Sequence, residues 1–244
     1  MISKEFQKYY DTISSNRNRS EVFTDFIDHS LYVLSAGMLI DEYTRLEKKY
    51  KKEELNYFIE MLHIVGKHSE GFRDSLGDLF MEYVSHGQNG QFFTPIYVSG
   101  FMAKILGTGE LHSKDSVCDP CCGSGRMLLS ATKQFVEQEG ESIRPQCYGA
   151  DIDLICVKMC VINMILNSIP GEIAWMNTLT MEHWQSYHIE LILIGGMWFP
   201  SLTVTGAGNT SFIPMLKKGL EENPELTEEI KKKVEARQLA LDFQ

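Results

Sequence analysis

The sequence predicts an α/β fold: a parallel sheet flanked by helices, shortened towards its C-terminal end, behind an N-terminal helical domain. Three observations predict it. From residue 116 onward, short apolar runs alternate with helical stretches of roughly 12–16 residues, the pattern of βαβ units. Within that region, Val117-Cys118-Asp119-Pro120-Cys121-Cys122-Gly123-Ser124-Gly125 is an apolar run that breaks into a glycine turn, and Arg126-Met127-Leu128-Leu129-Ser130 leaves it as a helix. Before it, apolar positions recur at helical spacing across most of the first 88 residues.

Composition narrows the class. At 244 residues the chain can bury a sizeable core as one or two domains. It has no run of about 18 apolar residues and no signal-peptide pattern, so a soluble, cytoplasmic protein without membrane contact is expected. Six cysteines in that setting point to reduced thiols. A net charge of −10 argues against autonomous nonspecific DNA binding, because duplex affinity rests on Lys and Arg neutralising phosphates.

In order, residues 1–18 are polar without a clear period, and Ser20 is placed to cap a long helix reaching Tyr50. Helices follow over about Glu53–Lys67 and Gly71–Ser85, completing a helical domain over 1–88. Pro95 suits the first turn of a helix to about Leu106. The strands of a cofactor-binding domain over 89–222 are then read at Ser116–Asp119, Cys147–Ala150, Glu172–Met176 and Tyr187–Ile194. Pro200–Gly208 reads as a loop, and 223–244 as a charged helix and tail.

The turn itself suggests ligand binding. A strand, a glycine turn and a helix start leave backbone N–H groups and a helix dipole facing a ligand. Gly123 and Gly125 are free to take positive φ, and Asp119 ends the strand as an acceptor. Asp151, ending the second strand, offers what a ribose with two hydroxyls requires. It lies 26 residues beyond Gly125, further than the ~20 of the usual dinucleotide fingerprint. A nicotinamide or flavin dinucleotide therefore stands as an alternative ligand, although the turn lacks a full G-x-G-x-x-G. Cys118-x2-Cys121 and Cys156-x3-Cys160 invite zinc. Cys118 sits in a strand and the latter pair share a helix face, so no metal is expected.

Three stretches, Gly90-Gln91-Phe92-Phe93-Thr94-Pro95, Asp119 to Gly125, and Gly149-Ala150-Asp151, resemble patterns of the adenine-N6 DNA methyltransferases, specifically the methylation subunit of type I restriction–modification systems. The family's patterns are G-x-F-[YF]-T-P, D-P-x-C-G-[ST]-G and G-x-[DE], and the resemblance spans about Ser75 to Trp198. It implies a Rossmann-like S-adenosylmethionine-dependent methyltransferase fold with S-adenosyl-L-methionine as cofactor. Phe93, Thr94 and Pro95 would line the methionine end, together with Asp119 and the backbone of Cys122, Gly123, Ser124 and Gly125. Asp151 would take the ribose and Ile152 the adenine face, while Asn177 replaces the usual Asp that holds the adenine amino group. Arg126 replaces a small residue and would bring a cation near the sulfonium.

The same resemblance implies a defect. The family's fourth strand ends in N-P-P-[FYW], which accepts hydrogen bonds from a flipped adenine and stacks on it. Aligned on Glu190–Ile194, this chain has Gly195-Gly196-Met197-Trp198, leaving the Gly195 and Gly196 carbonyls and the Trp198 ring as degenerate catalytic positions. Losing a preorganised group of that kind costs on the order of 3–4 kcal/mol, or about 100- to 1000-fold in rate. A weak or inactive methyltransferase of a restriction–modification system is the expectation, meeting DNA through a specificity subunit. The alternatives are a catalytically dead regulatory or DNA-associated subunit and a dinucleotide-binding module. The family's later strands lack a counterpart here, so either a partner covers an open sheet edge or the chain is a fragment-like relative. Near the C-terminus, Gln238, Leu239, Leu241 and Phe243 resemble the peptide by which bacterial proteins dock on the DNA polymerase sliding clamp.

Overall fold

The structure, a computed structural model, describes residues 4–85, 93–106, 115–140 and 144–215. The predicted C-terminal helix and the clamp-like peptide (Gln238, Leu239, Leu241 and Phe243) lie outside these residues, as do Gly90, Gln91 and Phe92.

Five helices and a π turn build the N-terminal region: α1 Lys4–Ser14, α2 Arg19–Leu34, α3 Ile40–Lys49, α4 Lys52–Ser69, α5 Ser75–Phe80 and the π turn Met81–Ser85. Two expectations are corrected here. Residues 4–14 form a helix, whose buried stripe of Phe6, Tyr10 and Ile13 was masked by its polar remainder. The long helix predicted to Tyr50 is two helices, because Ala36 and Gly37 take positive φ (52° and 84°). Its cap is Asn18 rather than Ser20; the Asn18 side chain accepts the Glu21 N–H.

The remainder comprises α6 Ile96–Ile105, β1 Ser116–Asp119, α7 Arg126–Glu139, β2 Gln146–Asp151, α8 Leu154–Leu166, β3 Gly171–Asn177, β4 Glu182–Ile194 and β5 Met197–Gly206. The sheet is mixed, in the order β1-β2-β3-β4-β5. β1, β2 and β3 are parallel as predicted, but β4 runs antiparallel to β3, and β5 antiparallel to β4. The predicted loop 200–208 is mostly strand β5. The cause is local: Gly195 and Gly196, at φ 60° and 86°, form the two-residue turn that joins antiparallel strands.

α8 is apolar apart from Lys158 and Asn163 and lies between layers, against β2, β3 and β4 on one side and α2, α4 and α5 on the other. Asp153 caps it by accepting the Ile155 N–H. A single apolar cluster consequently runs from Phe6 to Leu202. Polar ties cross the same seam, where Lys158 on α8 pairs with buried Asp28 on α2 at 2.6 Å. On the opposite face of the sheet, Phe212 closes over Ala150, Ala174 and Met176.

Candidate functional site

The carboxyl ends of the three parallel strands carry Asp119, Asp151 and Asn177, and the glycine turn stands above them. Gly123 and Gly125 adopt φ of 55° and 89°. Positive φ is required at both, and neither tolerates a Cβ: one at Gly123 would stand 2.9 Å from the Phe93 ring, one at Gly125 2.7 Å from Cys160 Sγ. The turn is closed by Gly125 N–H to the Cys122 carbonyl (2.8 Å) and tied to β2 by Cys122 N–H to the Ala150 carbonyl (2.9 Å).

Phe93, Asp119 and Asp151 therefore meet at one place. The Phe93 ring abuts Gly123, whose N–H donates to Asp151 Oδ2 at 2.9 Å. Asp151 Oδ1 accepts the Asp153 N–H at 2.9 Å, and Asp119 Oδ1 accepts the Cys121 N–H at 3.0 Å. Burial pushes both carboxyls above the ordinary range, although those backbone donors oppose it, and the Asp151 charge raises Asp119 further. Two adjacent carboxylates held this way favour a ligand that brings positive charge or hydroxyl donors. Ile152 stands beside them with its side chain largely exposed.

Asn177 differs from expectation in its availability. Its Oδ1 accepts the Leu179 and Thr180 N–H groups (3.0 and 3.2 Å), closing the turn after β3. The oxygen expected to hold an adenine amino group is thus occupied, and the side chain's remaining group is a donor.

Arg126 does not project a free cation over the turn. Its Nε donates to Asp74 Oδ2 (2.8 Å), Nη2 to Asp78 Oδ1 (2.6 Å) and Nη1 to the Thr94 carbonyl (3.1 Å). Burial alone would lower its pKa, but Asp74 and Asp78 outweigh that and hold it above its ordinary value. Asp74, fully buried, is the hub that sequence reasoning missed. It caps α5 through Gly77 N–H (2.8 Å), accepts from Asn163 Nδ2 on α8 (2.8 Å), and accepts from Ser124 Oγ in the glycine turn. Its only sequence signal was a cap position at the start of α5, and the convergence on it is tertiary.

The degenerate catalytic positions are corrected outright. Gly195 and Gly196 form a hairpin turn, and Trp198 follows on β5. Glu182 pairs with Asn177 at the site end of the sheet, and β4 runs away from it past Gly171. Twelve residues at ~3.3 Å each put Ile194 roughly 40 Å further along, at the opposite end. Gly195, Gly196 and Trp198 are therefore not beside the glycine turn. A Gly-Gly pair between two apolar runs is a hairpin signal, which alignment to the family's fourth strand overrode. At that far end a cavity of about 840 Å³ is lined by Arg144, Tyr148, Glu172, His188 and Trp198, among others. There Glu172, raised by burial but lowered more by Ser211, Thr210 and Ser186, stays below the usual carboxylate range.

Four of the six cysteines behave as small hydrophobes, while Cys118 and Cys121 are exposed. Cys122, Cys147, Cys156 and Cys160 are buried, and Cys147 is pushed up to about 12 by burial. Among the described residues, no three His, Cys, Asp or Glu side chains group as a metal site requires, and no helix is long and apolar enough to cross a membrane.

This is an α/β protein whose turn, carboxylates and aromatic cover gather at the carboxyl ends of parallel strands. It belongs to the N-6 DNA Methylase family, whose profile matches residues 72–196, just over half of the chain. The chain is 31% identical over 125 residues to the type I restriction enzyme MpnII methylase subunit of Mycoplasma pneumoniae, covering 48% of this chain and 22% of that one. It is 27% identical over 137 residues to the EcoEI methylase subunit of Escherichia coli, covering 51% of this chain and 27% of that one. The chain thus spans about a quarter of the length of these relatives. A solved structure from Listeria monocytogenes, described as a class I S-adenosylmethionine-dependent methyltransferase, superposes with a TM-score of 0.49 at 15% identity, over 70% of this chain and 51% of that one.

Proposed function

We propose that this chain binds S-adenosyl-L-methionine above β1 and β2 and is the cofactor-binding part of an adenine-N6 DNA methylation system. The observation that carries the reading is the convergence of Phe93, the Gly123 turn, Asp119 and Asp151 on one spot. The donor set fits the group. Each carboxylate has about four acceptor positions; the backbone uses two on Asp151 and one on Asp119, leaving acceptors for ribose hydroxyls and for an ammonium. Gly123 provides a cradle that a Cβ would fill, and Phe93 a ring edge against it. Thr94 and Pro95, which follow Phe93 in the chain, would continue that cover; Ile152 offers an exposed apolar face for a base, and Asn177 offers a donor in place of the expected acceptor. When bound, S-adenosylmethionine would supply the electrophilic methyl group.

Methyl transfer by this chain alone is weak or absent in this reading. The described residues place no Asn-Pro-Pro element beside β1, and the aligned segment lies at the other end of the sheet. DNA is reached with a partner, in keeping with the acidic net charge. Thermal-shift titration with S-adenosylhomocysteine and with NAD tests the binding claim: stabilisation by the first and none by the second is expected, and the reverse would assign the site to a dinucleotide. Transfer of labelled methyl groups to DNA, with and without a specificity subunit, tests the activity claim.

A further inference from the structure

Arg126 joins the glycine turn, α5 and the segment before α6. It is the first residue of α7, directly after the turn, where the positive end of a helix dipole makes a cation unfavourable. Its guanidinium nevertheless reaches α5 on one side and Thr94 on the other. Nε donates to Asp74 Oδ2 at 2.8 Å, Nη2 to Asp78 Oδ1 at 2.6 Å and to the Asp74 carbonyl at 3.5 Å, and Nη1 to the Thr94 carbonyl at 3.1 Å. Among the described residues, a cavity of about 360 Å³ is lined by Asp78 and Leu79 of α5, Ile96 of α6 and Arg126. The two helices therefore do not close on each other there, and Arg126 spans the gap. A second hold comes from α5 itself, where the Phe80 and Phe93 rings lie 5.5 Å apart between centroids. The same Phe93 ring abuts Gly123.

We infer that Arg126 is a positioning residue whose guanidinium clamps Phe93–Thr94 to α5, so that the helical region holds the aromatic cover over the glycine turn and sets how closely the site shuts on its ligand. A guanidinium suits the task, because its planar fork sends donors in diverging directions, whereas a lysine ammonium is a single point. The Asp74 pair anchors the fork, since Asp74 is buried and is itself fixed by Gly77 N–H and Asn163 Nδ2. Nη1 is then the working arm. Its bond to Thr94 balances no charge; what it fixes is the backbone one residue from Phe93. A cover displaced by about an ångström loses its contact with a ligand lying on the turn. The clamp stands on these distances alone, while its consequence for affinity rests on the cofactor reading of the site.

Amide hydrogen exchange of the ligand-free chain and calorimetric titration with S-adenosylhomocysteine test it together. Val98 and Ser99 N–H both donate to the Pro95 carbonyl, at 2.9 and 3.0 Å, so their exchange reports whether the segment after Phe93 is held. Arg126→Lys keeps a charge opposite Asp74 and should speed exchange at Val98 and Ser99 by about tenfold, with the circular dichroism spectrum unchanged. The same substitution should raise the dissociation constant for S-adenosylhomocysteine about tenfold, but less than about threefold when placed in Phe93→Ala, where the cover it acts through is already gone. Arg126→Gln, which keeps an amide donor but no fork, should repeat both results. Unchanged exchange at Val98 and Ser99 in the folded variants would overturn the clamp. Equal losses of affinity with and without Phe93 would overturn it too, since a general loosening of the turn acts independently of that ring. No binding by the unsubstituted chain would instead remove the cofactor reading and leave the exchange result to decide the clamp.

Discussion

Asp74 offers the sharpest test of how the helical region holds the glycine turn. Replacing it by Asn keeps the volume but removes the charge and one acceptor oxygen. Gly77 N–H, Asn163 Nδ2, Ser124 Oγ and Arg126 Nε then compete for a single carbonyl. Arg126, with a side chain only 11% exposed, keeps the Thr94 carbonyl and the exposed Asp78 as partners, and the latter is screened by solvent. Breaking a buried pair costs about 3–5 kcal/mol, and these surviving partners put Asp74→Asn towards the lower end, about 3 kcal/mol. Urea unfolding followed by circular dichroism, with the slope m unchanged, would read this as a shifted midpoint. Adding Arg126→Met removes the orphaned cation, so the double variant should recover about 1–2 kcal/mol relative to additivity. A loss below 1 kcal/mol for Asp74→Asn, or strict additivity of the pair, would refute the hub.

Four further outcomes follow from named residues. His29 is buried with Nδ1 unpartnered, and burial lowers its pKa from 6.5 to about 4. The unfolded chain therefore takes up its proton first on acidification, and stability from this group is present above pH 6.5 and is lost as pH falls towards 4. Linkage makes that about 2 kcal/mol between pH 7 and 5, and denaturant melts of His29→Phe should lack that component. Gly125→Ala forces a methyl to 2.7 Å from Cys160 Sγ at φ 89°; a loss of roughly 2–3 kcal/mol is expected, only partly restored by Cys160→Ala because the backbone strain remains. Affinity for S-adenosylhomocysteine should weaken on acidification at a higher pH than ordinary carboxylates would give, because Asp119 and Asp151 titrate above their usual range and bind an ammonium or hydroxyls best when ionised. Calorimetric titrations at several pH values read this directly, and a flat profile would count against carboxylate contacts. Installing Asn at Gly195 and Pro at Gly196 should give no gain in methyl transfer to DNA, since the turn is roughly 40 Å from Asn177 along β4.

How much of this was legible in the residues depends on whether the cause is local. The glycine turn was readable, because positive φ at Gly123 and Gly125 and a carboxylate at the ends of β1 and β2 are written in short stretches. The parallel half of the sheet followed from alternation of apolar strands with helices. The antiparallel half did not, although Gly195-Gly196 between Leu191–Ile194 and Met197–Phe199 is itself a hairpin signal; aligning by family resemblance displaced it. α1 was missed because its buried stripe is one residue in every three or four among charged neighbours. The fates of Arg126 and Asn177 were beyond any local reading. One is neutralised by Asp74, 52 positions away, and the other spends its oxygen on its own turn.

The central claim is that Asp151, the glycine turn and Phe93 form one cofactor site, and calorimetric titration of the chain with S-adenosylhomocysteine tests it most directly, beside Asp151→Ala and Phe93→Ala. Saturable one-to-one binding, weakened at least tenfold by either substitution while the unfolding midpoint stays within a few degrees, is the predicted result. Equal affinity in all three proteins, or no heat of binding to the unsubstituted chain, would contradict it.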